Sequence, residues 1–180
     1  MAEAALVDDT VDETQDSDQF LTFMMSGETY GVNILDIKEI IEYGNLTPVP
    51  MMPDFIAGVI NLRGSVVPVV NLKLRFGSGD AGEIGKRTSI VIIEVDSNDR
   101  KTEIGIIVDI VNEVIELTES DIEPAPSFGA RIRADFIKGM GKIGEQFLIL
   151  LDVEHVLSID ELSIIEQTKE EIPVEMIDQD

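Results

Sequence analysis

Three stretches have residue types and spacings that invite a chemical reading. Gly139-Met-Gly-Lys-Ile-Gly144 has the spacing G-x-G-x-x-G, which lets a backbone approach a pyrophosphate when a strand precedes the glycines and a helix follows them. Here the next residues are Gln-Phe-Leu-Ile-Leu-Leu, a strand pattern, so no helix N-terminus meets a phosphate. The run ending Gly85-Lys86 suggests a phosphate loop, but Asp80 stands where the first glycine is needed and Arg87 where a hydroxyl would hold magnesium. Asp109 and Glu113 form a carboxylate pair suited to acid–base work in a chain with 36 acids; no nucleophile or phosphate group stands beside them, and they read as a solvated face. One histidine, His155, and no cysteine leave no multi-histidine or thiolate metal site, no disulfide and no thiol nucleophile. The residues therefore predict no catalytic group, no metal and no cofactor.

Recognition is the remaining chemistry, and an internal repeat shows where it concentrates. Residues 55–72, FIAGVINLRGSVVPVVNL, return without a gap as residues 136–153, FIKGMGKIGEQFLILLDV. Upstream, Gly31 to Ile41 lines up with Gly105 to Ile115, and Pro48-Val-Pro50 with Pro124-Ala-Pro126. Two copies are too few for a solenoid and imply two similar lobes packed together. Where the copies differ, the fold tolerates the difference. Arg63 faces Gly144 across the repeat, so the turn does not need a long cation, and Arg63 is free to serve a partner. Pro68 replaces Ile149; a proline lacks the donor that a central strand requires, so this strand is expected at an edge or with a bulge. Met51-Met52 before Pro53 reads as a flexible contact surface or as core filling.

The elements that position these residues are short strands. Residues 19–25 and 29–32 read as a hairpin around Ser26-Gly27-Glu28. In residues 34–41 the apolar positions Ile34, Ile37, Ile40 and Ile41 fit a helical spacing, and their β-branched side chains fit a strand as well. Strands over 58–62 and 66–71 flank a turn at Arg63-Gly64-Ser65, and residues 77–86 form a loop between the lobes. Hairpin patterns recur over 89–95 and 103–108 and over 137–143 and 146–151, with a soft connection at 127–134. Asp152 is placed to cap a terminal helix that carries Val153, Val156 and Leu157 on one face. Stretches such as Ser89-Ile-Val-Ile-Ile93 are apolar on both faces, so each sheet needs cover from its own interior and from the opposing lobe. The fold expected is mainly β: two small antiparallel barrels with short helices and a C-terminal helix.

Charge excludes further classes. The formal charge is −23, from 13 Lys and Arg against 36 Asp and Glu, and no basic stripe is present to hold a phosphate backbone, so nucleic acid is not a partner. Residues 1–18 hold seven acids and no base, and residues 158–180 eight acids against Lys169; these ends read as solvated acidic tails around a domain at 19–157. That domain divides in sequence into lobe one at about 19–86, lobe two at about 87–151 and the helix from 152. The N-terminus lacks the basic and apolar regions of a secretory signal, and no apolar run is long enough to span a membrane, so membrane insertion is not expected. A cytoplasmic location fits these features.

Gly58-Val-Ile-Asn-Leu-Arg-Gly-Ser-Val-Val-Pro-Val-Val-Asn-Leu72 resembles the CheW family of chemotaxis coupling proteins. The resemblance extends through Tyr30 to Ile40, Gly105 to Asp109, Ile122 to Pro126 and Ile149 to Asp152, or roughly residues 19–157. It implies two SH3-like barrels and a non-enzymatic adaptor that joins the cytoplasmic tips of chemoreceptors to the regulatory domain of the CheA histidine kinase, recruited to membrane-associated receptor arrays. It places receptor contacts near Ile37, Glu39, Arg63 and Val114, gives Gly58 and Gly64 structural roles in turns, and puts the kinase contact on a separate apolar surface mostly in lobe two. Related readings are a coupling protein of another chemosensory pathway, such as surface motility, or the CheW-like half of a CheV-type protein, which would carry a receiver domain after it. A carboxylate enzyme with its site between the lobes is the distant alternative.

Overall fold

The computed structural model describes residues 17–44, 46–76, 82–97, 100–124 and 136–155. β1 (Ser17–Met25) and β2 (Glu28–Asn33) form the first hairpin. Its central residues Ser26 and Gly27 have φ of 54° and 80°, the left-handed pair whose twist matches that of the flanking strands. Asn33 then accepts a hydrogen bond from the Leu35 amide at 2.9 Å, closing a 3₁₀ turn at Ile34–Asp36 before β3 (Ile37–Glu42). The two readings of residues 34–41 are thus divided between one helical turn and a strand.

β4 (Ile56–Leu62) and β5 (Ser65–Val70) form the second hairpin, followed by a single helical turn α1 (Leu72–Arg75) capped by the Asn71 side chain. β6 (Ser89–Ser97) and β7 (Arg100–Val108) form the third. β8 (Ile110–Thr118) runs through a 3₁₀ turn at Glu119–Asp121 into β9 (Ile122–Glu123). β10 (Ile137–Ile143) and β11 (Gln146–Leu151) end the sheet, and Asp152 caps a 3₁₀ turn at Val153–His155. The helix expected to continue from there, the soft connection at 127–134 and most of both acidic tails lie outside the described residues; Ser17 and Asp18, assigned to the N-terminal tail, open β1. Among the described residues no helix is long and apolar enough to cross a membrane.

The strands assemble into two sheets, ordered β3-β6-β7-β5-β4 and β8-β1-β2-β11-β10-β9. In the second, β8 pairs with β1 at one end while its continuation β9 pairs with β10 at the other, so the sheet returns to the same stretch of chain and closes as a small barrel. In the first, the chain just past β3 does the same through a bridge between Thr47 and Val59. Barrel one therefore spans residues 37–108, and barrel two joins the N-terminal hairpin to residues 110–151. This differs from the expected lobes at 19–86 and 87–151: each repeat copy gives its leading hairpin to the other copy's barrel. The loop at 77–86, expected between lobes, connects elements of barrel one.

The exchange depends on two glycines that coincide in the repeat. β2 pairs in parallel with β11 at Gly31 and Leu150, and β7 with β5 at Gly105 and Val69. A Cβ on Gly31 would come within 2.9 Å of a Leu148 methyl, and one on Gly105 within 2.8 Å of an Ile90 methyl, so a side chain at either crossing would have to displace a packed neighbour.

Packing is in three layers. Ile60, Val67, Val69, Ile90 and Ile92 fill barrel one, and Phe20, Leu117, Leu148 and Leu150 fill barrel two. Between them lies the largest core, to which β6 gives Val91, Ile93 and Val95. Ile90 and Ile92 thus point into the barrel and their neighbours into the interface, which is why Ser89 to Val95 is apolar on both faces. A ring series, Phe23, Tyr30, Phe76 and Phe136, runs through the interface at centroid spacings of 6.0, 6.2 and 5.4 Å. Lys73 donates to Asp109 at 2.8 Å, and Asp109 accepts from the Ser26 amide at 3.0 Å, so the carboxylate singled out for acid–base work instead ties the first hairpin to α1.

β5 is not an outer strand, so of the two expectations from Pro68 the edge fails, while the ladder it shares with β4 does carry a bulge, between Ile56 and Gly58 of β4. Val59, opposite Pro68, spends both its backbone groups on Thr47 at 2.9 Å, so β4 asks no donor of residue 68. Pairing with β7 begins only at Val69. The proline therefore sits where neither neighbouring strand takes an N–H from residue 68.

Candidate functional site

The β4–β5 turn carries Arg63 and Gly64 at φ of 53° and 86°, the same left-handed pair seen in the first hairpin. Gly64 has open space around its Cα and is required by conformation. Arg63 is a non-glycine residue in the left-handed region, a strained state that persists where structure or function holds it. Its counterpart Gly144 has φ of 61°, so both barrels make the same left-handed step and only one places a side chain on it.

That side chain reaches back to the edge strand of its own barrel. Arg63 Nη1 and Nη2 donate to Glu39 Oε2 and Oε1 at 2.7 and 2.6 Å, a two-pronged pairing of guanidinium and carboxylate. The hydrogen bonds from Arg63 hold the Glu39 carboxyl below the usual glutamate range, and those to Glu39 raise the Arg63 guanidinium. The Arg63 side chain is 73% exposed and that of Glu39 25%, so the cation forms the outward surface of the pair.

Gly58 supports this turn from below. A bulge between Ile56 and Gly58 brings β4 close under the segment that leaves β3, and a Cβ on Gly58 would lie 2.7 Å from the Thr47 carbonyl oxygen. Val49, two residues on, packs against Val59 and Val66, so this crossing covers the hairpin that bears Arg63. The repeat copy is built alike: a bulge precedes Gly139, whose Cβ would meet the Glu123 carbonyl at 3.0 Å.

The structure brings together Glu39 and Arg63 alone among the four predicted contacts. Ile37 begins the same strand, half-buried against the inter-barrel core. Val114 lies on β8, the edge strand of barrel two, opposite Leu21 and 49% exposed. Ile40, its counterpart in the repeat, is likewise exposed on β3, a pairing the sequence alignment contained but that was not drawn from it. Gly139 and Gly141 lie inside β10 and Gly144 opens a turn into another strand, so the glycine motif has no phosphate-binding geometry. His155 is exposed and pairs with Asp152 at 2.8 Å. Among the described residues no group of three carboxylates or histidines could hold a metal.

The arrangement is one of recognition: an exposed ion-pair fork at a rigid hairpin tip, on one of two barrels locked by a shared core. The model of the CheW-like domain matches residues 19–161. This chain belongs to that family. It is 36% identical to the chemotaxis protein CheW of Klebsiella aerogenes over 166 residues, which cover 92% of this chain and 96% of that one. A crystal structure of the scaffolding protein TtCheW from Thermoanaerobacter tengcongensis superposes with a TM-score of 0.72 at 33% identity, covering 81% of this chain and 91% of that chain. The chemotaxis protein CheV3 of Helicobacter pylori is 30% identical over 143 residues, but only 44% of its length is matched, so the CheV-type reading is the weaker one.

Proposed function

We propose that this CheW-like chain is a scaffold of chemotaxis signalling that couples the cytoplasmic tips of chemoreceptors to the regulatory domain of the CheA histidine kinase and performs no chemistry itself. It works in the cytoplasm and is recruited to receptor arrays at the membrane. The observation that carries the reading is the family match across nearly the whole length of a named CheW relative. The geometry supports it: a conspicuous polar group on the surface is the Glu39–Arg63 fork, which suits binding. The receptor contact is assigned to Ile37, Glu39, Arg63 and Val114, with Gly58 and Gly64 shaping the hairpin, and the kinase contact to a different, apolar surface.

The test is titration of the full chain with a soluble receptor-tip fragment, with the kinase regulatory domain, and with both together, followed by sedimentation. A ternary complex in which neither partner displaces the other is the expected result. Failure of both to bind, or strict mutual exclusion, overturns the scaffold reading.

A further inference from the structure

The tip of the β10–β11 hairpin carries an apolar surface that its counterpart in barrel one hides. Lys142 and Phe147 face each other across the ladder, as do Asn61 and Val66 in β4–β5. Val66 is 5% exposed beneath Val49, whereas Phe147 is 51% exposed and its neighbour Ile143 is exposed as well. Lys138 and Lys142 are exposed on β10 on either side of Met140, which packs against the inter-barrel core. Lys142 Nζ stands 6.0 Å from the Phe147 ring centroid, which makes it the cation beside the bare ring. The hairpin tip thus sets an apolar ring and a cation side by side, with the exposed Glu145 in the turn between them, in a chain of net charge −23.

The chain itself contains a segment of the complementary chemistry. Residues 166–177, EQTKEEIPVEMI, interleave Ile172, Val174 and Met176 with Glu171 and Glu175. The Asp152 amide donates to the Phe136 carbonyl at 2.9 Å, so the chain leaves the 3₁₀ turn at Val153–His155 beside the start of β10. From that point the patch is one strand length away, about 20 Å, and the eleven residues from His155 to Glu166 span up to ~36 Å when extended. Residues 125–135, which also lie close in sequence, hold Arg131 and Arg133 against Asp135 and would meet Lys142 with like charge.

We infer that the acidic-apolar segment 166–177 docks on the Lys142–Phe147 face of barrel two and competes there with any acidic-apolar partner. Tethering makes the contact intramolecular at an effective concentration of order mM, so weak contacts suffice, and opposite charge makes it sensitive to salt.

The absence of cysteine allows a single label. Met176→Cys bearing a nitroxide, in the full chain, is expected to reduce the amide signals of residues 142–147 to below half their intensity while leaving β3 unaffected. The effect is expected to vanish in Lys142→Glu and in Phe147→Ala, with the remaining amide spectrum unchanged, and to weaken in 0.5 M salt on the order expected for exposed charges. Unchanged intensities at 142–147, or broadening centred elsewhere, overturn the inference. So does equal broadening in a mixture of isotope-labelled chain without nitroxide and unlabelled chain with it, which would make a second copy the occupant.

Discussion

Replacing Gly58 with alanine tests how the site is held. The added Cβ would stand 2.7 Å from the Thr47 oxygen and 3.1 Å from its carbonyl carbon, with backbone rather than a yielding side chain in the way. Relief requires opening the bridge in which Thr47 and Val59 exchange two hydrogen bonds of 2.9 Å. Two such bonds contribute about 1–3 kcal/mol together, and a side chain at φ of +156° adds about 1–3 kcal/mol of backbone strain. Because opening the bridge relaxes part of that strain, the expected loss is about 2–4 kcal/mol. Denaturant unfolding of the parent and variant at one pH measures it directly. Gly58→Asp is expected to cost more, since it adds a charge to the same closed space. Receptor-fragment binding should fall as well, because Thr47 and Val49 cover the hairpin that bears Arg63. A variant that unfolds within about 0.5 kcal/mol of the parent shows that the crossing gives way freely and refutes the argument.

Arg63→Ala is expected to leave the unfolding midpoint nearly unchanged, since exposed ion pairs contribute little, while weakening receptor binding at least about fivefold; titration with receptor fragment and with kinase domain should show the loss in the first only. Arg63→Gly should unfold at a midpoint no lower than that of Arg63→Ala, because glycine accepts φ of 53° without strain. In an NMR titration the Glu39 carboxyl should protonate below the ordinary glutamate range and return to it in Arg63→Ala; its contribution is present above the unfolded-state value and is lost as pH falls through the lowered one. Ile93→Ala, at a fully buried position between the barrels, should cost about 2–5 kcal/mol in the same unfolding assay.

Much of this was legible in the sequence because strand periodicity and turn chemistry are local. The hairpins, the turn at residue 63 and the need to cover both faces of Ser89 to Val95 follow from neighbours a few residues apart. The exchange of hairpins was not legible, since pairing between Gly31 and Leu150 or Gly105 and Val69 joins residues distant in the chain. The signal was nonetheless present in the two coincident glycines, whose missing side chains mark where strands cross. The edge position expected from Pro68 failed for a related reason: the proline's tolerance depends on Thr47 taking the bonds of Val59, a contact no spacing rule contains. In the candidate site, comparison of the repeat copies singled out Arg63, but the partner of its guanidinium, Glu39, became visible only when β3 was placed beside the turn.

The exchanged hairpin also sets the order in which the molecule can be completed during synthesis. β1 and β2 leave the ribosome first, but their neighbours β8 and β11 are among the last strands made. At about 5–20 residues per second, the roughly 110 residues from the end of β2 to the start of β11 keep that hairpin waiting for ~6–20 s. Barrel one, whose strands all lie between residues 37 and 108, can close within that interval. A hairpin made before barrel one is then completed after it, since Phe20 meets Leu148 and Leu150 only when β11 arrives, which makes this hairpin the segment that folding helpers have most reason to hold.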